Sequence, residues 1–182
     1  IASRSFDCGT SAAAEQYVVA DQQIAAQARQ EMISQGAYFM NEEEEALLMD
    51  LLGPKGGREA EYMGKPAVWL AKRAGFQVPE DIKVLVSQQK YITDFNPYAG
   101  ALLCPVLVFY IENDWMYACE KCMELLVNES CGHTLVIHSE DQDVIRQFML
   151  KKPVGRILIN TPAAFGAMGA TTNLFPSMIL GG

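Results

Sequence analysis

Short apolar runs alternate along this chain with longer segments in which apolar residues recur every three or four positions. The apolar runs, rich in β-branched side chains, predict buried strands at 17–20, 83–86, 106–110, 134–138 and 156–160. The longer segments predict helices at about 22–34, 42–52, 65–74, 114–128 and 141–150. Because strands and helices alternate, the pattern predicts an α/β fold, a mainly parallel sheet flanked by helices.

Residues typical of helix ends support these boundaries. Asp21 and Asn41 belong to the types that cap helix N-termini, and the glutamates at 42–45 suit the positive end of a helix dipole. Gly36 stands where the first of these helices needs a C-terminal residue with a left-handed backbone. The Gly/Pro-rich segment 53–57 ends the next helix. The glutamate run is therefore predicted to be a solvated helix start rather than an acidic binding patch.

Composition then limits the function. The chain has 182 residues, a formal net charge of −8 and 50% hydrophobic residues, which favour one folded domain over a disordered chain. The negative charge argues against a sequence-independent nucleic-acid binder, which needs a basic surface. The apolar runs are too short to span a membrane and no signal-peptide pattern opens the chain, so we expect a cytoplasmic protein. The missing initial Met and the final Gly181-Gly182 suggest a piece of something longer.

Five scattered cysteines favour free thiols over a disulfide framework. Cys119, Cys122, Cys131 and His133 could be read as four zinc ligands. However, Cys119 and Cys122 fall on the apolar stripe of the helix predicted at 114–128, where packing in the core is the simpler interpretation. A lone histidine such as His133 is more often structural than catalytic.

Two polar, glycine-containing loops, at 7–14 and 160–173, are the candidate ligand sites, since parallel α/β sheets bind ligands at their strand ends. Four strings in the chain are more specific. They are Ser5–Gln16 (SFDCGTSAAAEQ), Gly132–Thr134 (GHT), Arg156–Ala163 (RILINTPA) and Gly166–Ser177 (GAMGATTNLFPS). Together and in this order they resemble the CoA-acylating aldehyde dehydrogenases. The resemblance implies the fold of that family's catalytic domain. It implies that 1–182 is this acyl-transfer domain, with the NAD-binding domain absent from the chain.

The resemblance also implies a reaction. Members of the family oxidise an aldehyde on a cysteine thiolate to a thioester, pass a hydride to NAD and transfer the acyl group to coenzyme A. It implies a short aliphatic aldehyde as substrate, coenzyme A as partner and NAD as cofactor of the full-length enzyme. Neither NAD nor coenzyme A is firmly expected on the isolated domain. A homo-oligomer is implied as well.

This chain departs from the family at the position of the nucleophile. Counted from Glu15-Gln16, that position falls at Ala12, which has no thiol, although its backbone N–H is expected to remain as an oxyanion donor. Ala12 has three open explanations: an engineered change from cysteine, a natural non-catalytic relative, or Cys8 serving as the nucleophile instead. A misalignment or a sequence error would also produce it.

Other site residues follow from the same resemblance. Related enzymes commonly carry Glu at the position of Ala101, near the nicotinamide, so its loss beside that at Ala12 predicts little activity. His133 is expected as a neighbour of the site, and no metal is expected. The acyl or CoA pocket is expected to be lined by Asn160, Thr161, Pro162, Gly169 and Thr171. The alternative function is a non-catalytic binding or assembly module on the same fold.

Overall fold

The centre of the protein is a four-stranded sheet in which all neighbouring strands run parallel. The computed structural model describes residues 1–53, 60–92, 98, 102–128, 132–150 and 152–176. The sheet has the order β1-β4-β3-β2. Its strands are β1 (Tyr17–Asp21), β2 (Ala37–Phe39), β3 (Val84–Gln88) and β4 (Val106–Glu112). β4 is central and buried over its first five residues, in agreement with the continuous apolar run that predicted it.

A second sheet contains two parallel strands. β5 (Gly132–Ile137) pairs with β6 (Val154–Ile159), in a register that sets Gly132 beside Val154 and Ile137 beside Ile159. All the strand pairs described in the chain are thus parallel, which confirms the predicted sheet type. Both strands begin two residues earlier than their apolar runs indicated.

Helices follow most of the strands. They are α1 (Ala2–Ser5), α2 (Gln22–Ser34), α3 (Glu42–Leu52), α4 (Ala67–Ala74), α5 (Trp115–Asn128), α6 (Gln142–Met149) and α7 (Ala163–Ala167), with a 3-10 segment at Phe6–Gly9. Asp21 caps α2 by accepting from the Gln23 N–H, and Asn41 forms a capping box with Glu44 at the start of α3. The glutamate run therefore begins a helix, as predicted.

Alternation along the strands separates two cores. Val84 and Val86 face one side of the first sheet, whereas Leu85 between them faces the other, as successive strand residues must. A third cluster joins α5 and α6 to the second sheet around Ile145 and Phe148. Because α5 also contributes Leu125 to the core of the first sheet, this helix lies between the two sheets.

Several elements differ from the sequence-based expectation. The loop expected at 160–173 contains α7, and the segment before β1 contains α1 and the 3-10 turn. β2 was not predicted, because three residues are too short to show a pattern. Ala101, Cys131 and residues 54–57 lie outside the described residues. Within the described ranges, no helix is long and apolar enough to cross a lipid bilayer.

Candidate functional site

Loop 7–14 begins with an unusual run of backbone conformations. Asp7 and Cys8 have φ values of 48° and 50°, and Gly9 follows at 79°, so three consecutive residues are left-handed. Phe6, just before this run, packs edge-to-face on Phe165 of α7 with ring centroids 5.6 Å apart. Non-glycine residues rarely adopt such angles, so packing around the loop must hold them.

Arg4 fixes the chain on the N-terminal side of this loop. Its side chain is 2% exposed, and its guanidinium donates to the carbonyls of Leu102, Cys104 and Val106 at 2.7–2.9 Å. Burial lowers the pKa of Arg4 to about 10, which still leaves it charged at neutral pH. On the far side, the Gln16 side chain accepts from the Leu102 N–H at 2.8 Å. Both ends of the loop are therefore fastened to the segment that leads into β4.

A second set of contacts fastens the loop to α7. The Glu15 carboxylate accepts from the Ala163 N–H at 2.7 Å, and the Ser3 hydroxyl accepts from the Ala164 N–H at 2.9 Å. These bonds satisfy two of the amides that every helix leaves free at its N-terminus. The other Glu15 oxygen, Oε2, is buried and has no hydrogen-bond partner among the described residues. The two candidate loops predicted from the sequence are thus brought together.

Ala12 lies in a tight turn within loop 7–14. The Ala14 N–H donates to the Ser11 carbonyl at 3.0 Å, which closes a four-residue turn with Ala12 as its second residue. Ala12 is exposed, whereas Ala13 beside it is buried. Within the described part of the chain, the Ala12 N–H has no hydrogen-bond acceptor. The position presents a methyl group and a backbone donor to the surroundings.

Cys8 lies in the same loop but in a different setting. It belongs to the 3-10 segment, is half-exposed, and has a left-handed backbone with a φ of 50°. Thr10 and Asp7 hydrogen-bond each other across it. The structure leaves the catalytic assignment of Cys8 as a prediction.

Asn160 and Pro162 connect β6 to α7. The Asn160 side chain accepts from the Ser139 N–H at 3.0 Å and donates to the Ser139 carbonyl at 2.9 Å, which fits its left-handed φ of 51°. Pro162 is the N-cap residue of α7. Loop 160–173 follows the carboxyl end of β6, where a ligand was expected, but loop 7–14 precedes the amino end of β1. The rule about strand ends therefore accounts for one candidate loop and not for the other.

Thr161 precedes α7, and Gly169 and Thr171 follow it. The Thr161 hydroxyl, buried, shares a hydrogen bond with the exposed Thr171. Gly169 turns the chain where the Leu174 carbonyl lies close by. Each of these residues has a structural contact, and their role in binding an acyl group or CoA stays a prediction.

His133 lies inside β5 rather than before it, with Nδ1 2.7 Å from the Thr134 hydroxyl. The register of β5 and β6 places it at the amino end of the second sheet, whereas Asn160 follows the carboxyl end. At about 3.3 Å per strand residue, the backbones of these two residues are roughly 17 Å apart along the strand direction. His133 therefore does not contact the Asn160–Pro162 turn, and its proximity to Ala12 stays a prediction.

Cys119 and Cys122 pack in the third cluster between α5, α6 and the second sheet, which confirms the packing interpretation. In the part of the chain that the structure describes, no three His, Cys, Asp or Glu side chains converge as a metal site. Cys131, the third cysteine of the zinc hypothesis, is outside that part.

Sequence reasoning missed the residues that hold the site. Ser3 and Arg4 precede any periodic element, and an arginine beside a polar loop is expected to be solvated. Glu15 and Gln16 served only to locate Ala12. Their contacts join segments about 90 to 160 residues apart, so no local pattern could have revealed them.

The chain is similar to known proteins over its whole length. No family model matches it. It is 33% identical over 184 residues, 98% of the chain, to the bifunctional aldehyde-alcohol dehydrogenase of Escherichia coli K12, of which it covers 21%. It thus spans about a fifth of the length of the curated relatives of this type.

Solved structures give the same result. An acetylating aldehyde dehydrogenase from Geobacillus thermoglucosidasius superimposes with a TM-score of 0.92 at 38% identity, covering 99% of this chain and 40% of its own. A propionaldehyde dehydrogenase from Rhodopseudomonas palustris, solved with bound CoA and an acylated cysteine, has a TM-score of 0.85 at 24% identity. It covers 97% of this chain and 39% of its own. At that identity, the second comparison shows the fold alone.

Proposed function

Because the chain belongs to the acylating aldehyde dehydrogenase family, as a domain that spans 40% or less of the relatives described above, we propose that it is their acyl-transfer domain. The complete protein would oxidise a short aliphatic aldehyde to an acyl-CoA, with NAD accepting the hydride. The observation that carries this proposal is the presentation of Ala12 on an exposed turn, in a loop fastened to both β4 and α7. A covalent nucleophile needs such a fixed and accessible position.

The described residues supply part of what the reaction requires. The N–H at Ala12 is available to an oxyanion at that position. Arg4 and Gln16 keep the loop from shifting against the β4 segment when a bulky thioester forms there. Coenzyme A is proposed to approach along Asn160, Thr161, Pro162, Gly169 and Thr171.

The β6–α7 turn, which is bonded to the loop, does not fit the pyrophosphate of NAD. Its Ala163 and Ala164 amides already donate to Glu15 and Ser3. Those amides are therefore not free to bind a pyrophosphate. We propose that a separate NAD-binding domain supplies that site.

Ala12 itself cannot form the thioester, since a methyl group has no lone pair to attack a carbonyl. We propose that this chain is inactive in acyl transfer for that reason. The acylated cysteine of the Rhodopseudomonas palustris relative supports thioester chemistry within this fold.

The test is restoration of the thiol by Ala12→Cys in the full chain. The variant is incubated with propionyl-CoA, and intact-mass spectrometry detects transfer of one propionyl group to the protein. We expect a stoichiometric thioester in Ala12→Cys and none in the unchanged chain or in a matched control, Ser11→Cys, one position earlier in the turn. Acylation of the unchanged chain that disappears in Cys8→Ser would assign the nucleophile to Cys8 instead. No acylation of Ala12→Cys would contradict the proposed position.

The same residue favours a second candidate, a non-catalytic binding or assembly module. Calorimetric titration of the unchanged chain with CoA separates the two. Binding of CoA without acylation of Ala12→Cys would favour the module, and acylation of Ala12→Cys would favour a domain that has lost only its thiol. Light scattering on the same samples tests the proposed homo-oligomer.

A further inference from the structure

A cysteine and a lysine meet in the third cluster, away from the candidate site. Lys152, which precedes β6, places its Nζ 2.7 Å from the Sγ of Cys119 on α5. The same ammonium lies 5.4 Å from the centre of the Phe148 ring. Cys119 and Lys152 are both half-buried.

The two cysteines of α5 differ in their surroundings. Burial is the main reason that the pKa of Cys122 rises to about 12, so Cys122 remains a thiol at neutral pH. Cys119, in contrast, has the Lys152 side chain in hydrogen-bond contact with its sulfur. Within the described residues, Lys152 forms no ion pair with a carboxylate that would compete for its charge. The pair therefore places a nucleophilic sulfur and an amine within hydrogen-bonding distance of each other.

We propose that Cys119 and Lys152 form a reversible covalent cross-link when the protein meets a peroxide. The Cys119 thiolate attacks one peroxide oxygen, the O–O bond breaks, and a proton from the Lys152 ammonium converts the leaving hydroxide to water. Cys119 is then a sulfenic acid, oxidised by two electrons while the peroxide is reduced. The Lys152 amine next attacks Sγ, the S–O bond breaks, and the hydroxyl leaves as a second water with a proton from the amine. One S–N bond, a sulfenamide, remains, and a small thiol can reduce it.

The location of the pair gives the cross-link a structural effect. α5 packs on both sheets, and Lys152 leads directly into β6. An S–N bond at this point would join the α5 helix covalently to the second sheet. It would replace a hydrogen bond between segments 33 residues apart with a fixed connection.

Tryptic digestion can identify the product without ambiguity. Cleavage after Lys121 separates the two cysteines into peptides 91–121 and 122–146, and cleavage after Lys151 releases the peptide 152–156. We expect peroxide to join peptides 91–121 and 152–156, with a loss of mass equal to two hydrogen atoms and full reversal by dithiothreitol. Fragmentation should place the bond on Cys119, since peptide 91–121 also contains Cys104.

Three variants of the full chain decide between the possible products. Lys152→Arg keeps the positive charge but lacks a nucleophilic amine, so it should abolish the cross-link and leave a sulfenic acid that dimedone traps. Cys122→Ser should retain the cross-link, and Cys119→Ser should lose both the cross-link and the trapped acid. A bond between peptides 91–121 and 122–146, a disulfide, would overturn the proposal. So would a cross-link that survives in Lys152→Arg.

Discussion

Gly9 lies where loop 7–14 passes close to the segment that leads into β4, and its replacement by alanine tests how the loop is held. A Cβ atom built on Gly9 would lie 2.5 Å from the Cys104 carbonyl oxygen and 2.9 Å from the Pro105 nitrogen. Both atoms belong to the backbone, and the Cys104 carbonyl also accepts from Arg4. Neither neighbour can rotate away as a side chain could.

Two costs add in Gly9→Ala. Alanine at a φ of 79° loses roughly 1–2 kcal/mol relative to glycine, because its Cβ approaches the following carbonyl oxygen. Forcing a methyl group against fixed backbone adds about 1–3 kcal/mol, as overpacking does in other well-packed sites. We therefore expect Gly9→Ala to lower the free energy of unfolding by about 2–5 kcal/mol, out of the ~5–15 kcal/mol typical of a domain.

Gly75→Ala is the matched control. Gly75 ends α4 with a φ of 105°, and nothing lies within 4 Å of the place that an added Cβ would take. It should therefore lose only the conformational part, about 1–2 kcal/mol. Urea unfolding followed by tryptophan fluorescence measures both losses. Equal losses for the two variants would refute the close approach of the loop to Cys104.

Three further predictions concern buried or half-buried groups. Arg4→Met should lower the free energy of unfolding by about 2–5 kcal/mol, because it removes charge-assisted bonds to three buried carbonyls. The control Arg73→Met removes an exposed ion pair and should lower the free energy of unfolding by less than about 1 kcal/mol in the same urea assay. Burial raises the pKa of Glu45 in the fold, so the folded state binds its proton more tightly than the unfolded chain does. Relative to Glu45→Gln, the unchanged protein should thus lose stability as pH rises from about 4.5 through that raised pKa, and a flat difference would contradict this. Cys104 is fully buried, and burial raises its pKa to about 11, whereas Cys8 is half-exposed. Iodoacetamide should therefore modify Cys8 and spare Cys104 until urea unfolds the chain. Peptide mass spectrometry measures the modification of each cysteine.

The elements predicted best from the sequence are those with a local cause. Asp21 and Asn41 cap their helices through bonds two or three residues long, so the residue type and its position suffice to predict them. β4 is buried on both faces, and its apolar run shows this directly. The parallel sheet followed from the alternation of such elements.

The elements missed depend on distant contacts. α7 contains five residues, too few to be stable alone, and its first amides are satisfied by side chains from the beginning of the chain. β2 exists because Ala37–Phe39 pairs with β3. In each case the element forms because of residues that lie far away in the sequence, so its own residues do not predict it.

The candidate site was only partly predictable. The strings around Ala12 and Asn160 predicted the two loops of the site, because such motifs reflect the chemistry of a site. They contained no sign that Ser3, Arg4 and Glu15 join those loops. The Arg4 guanidinium bonds to backbone carbonyls, and since every residue has one, no residue type or spacing in the sequence marks these partners.

The bond between Glu15 and Ala163 has a consequence for how the protein is made. These residues are 148 positions apart, so a ribosome working at about 5–20 residues per second finishes Ala163 roughly 7–30 s after Glu15. In the last part of that interval, residues 1–16 can contact their partners at 102–106, but not those on α7. The loop that presents Ala12 therefore lacks its α7 contacts until Ala163 has been made, and until then chaperones and proteases can reach it.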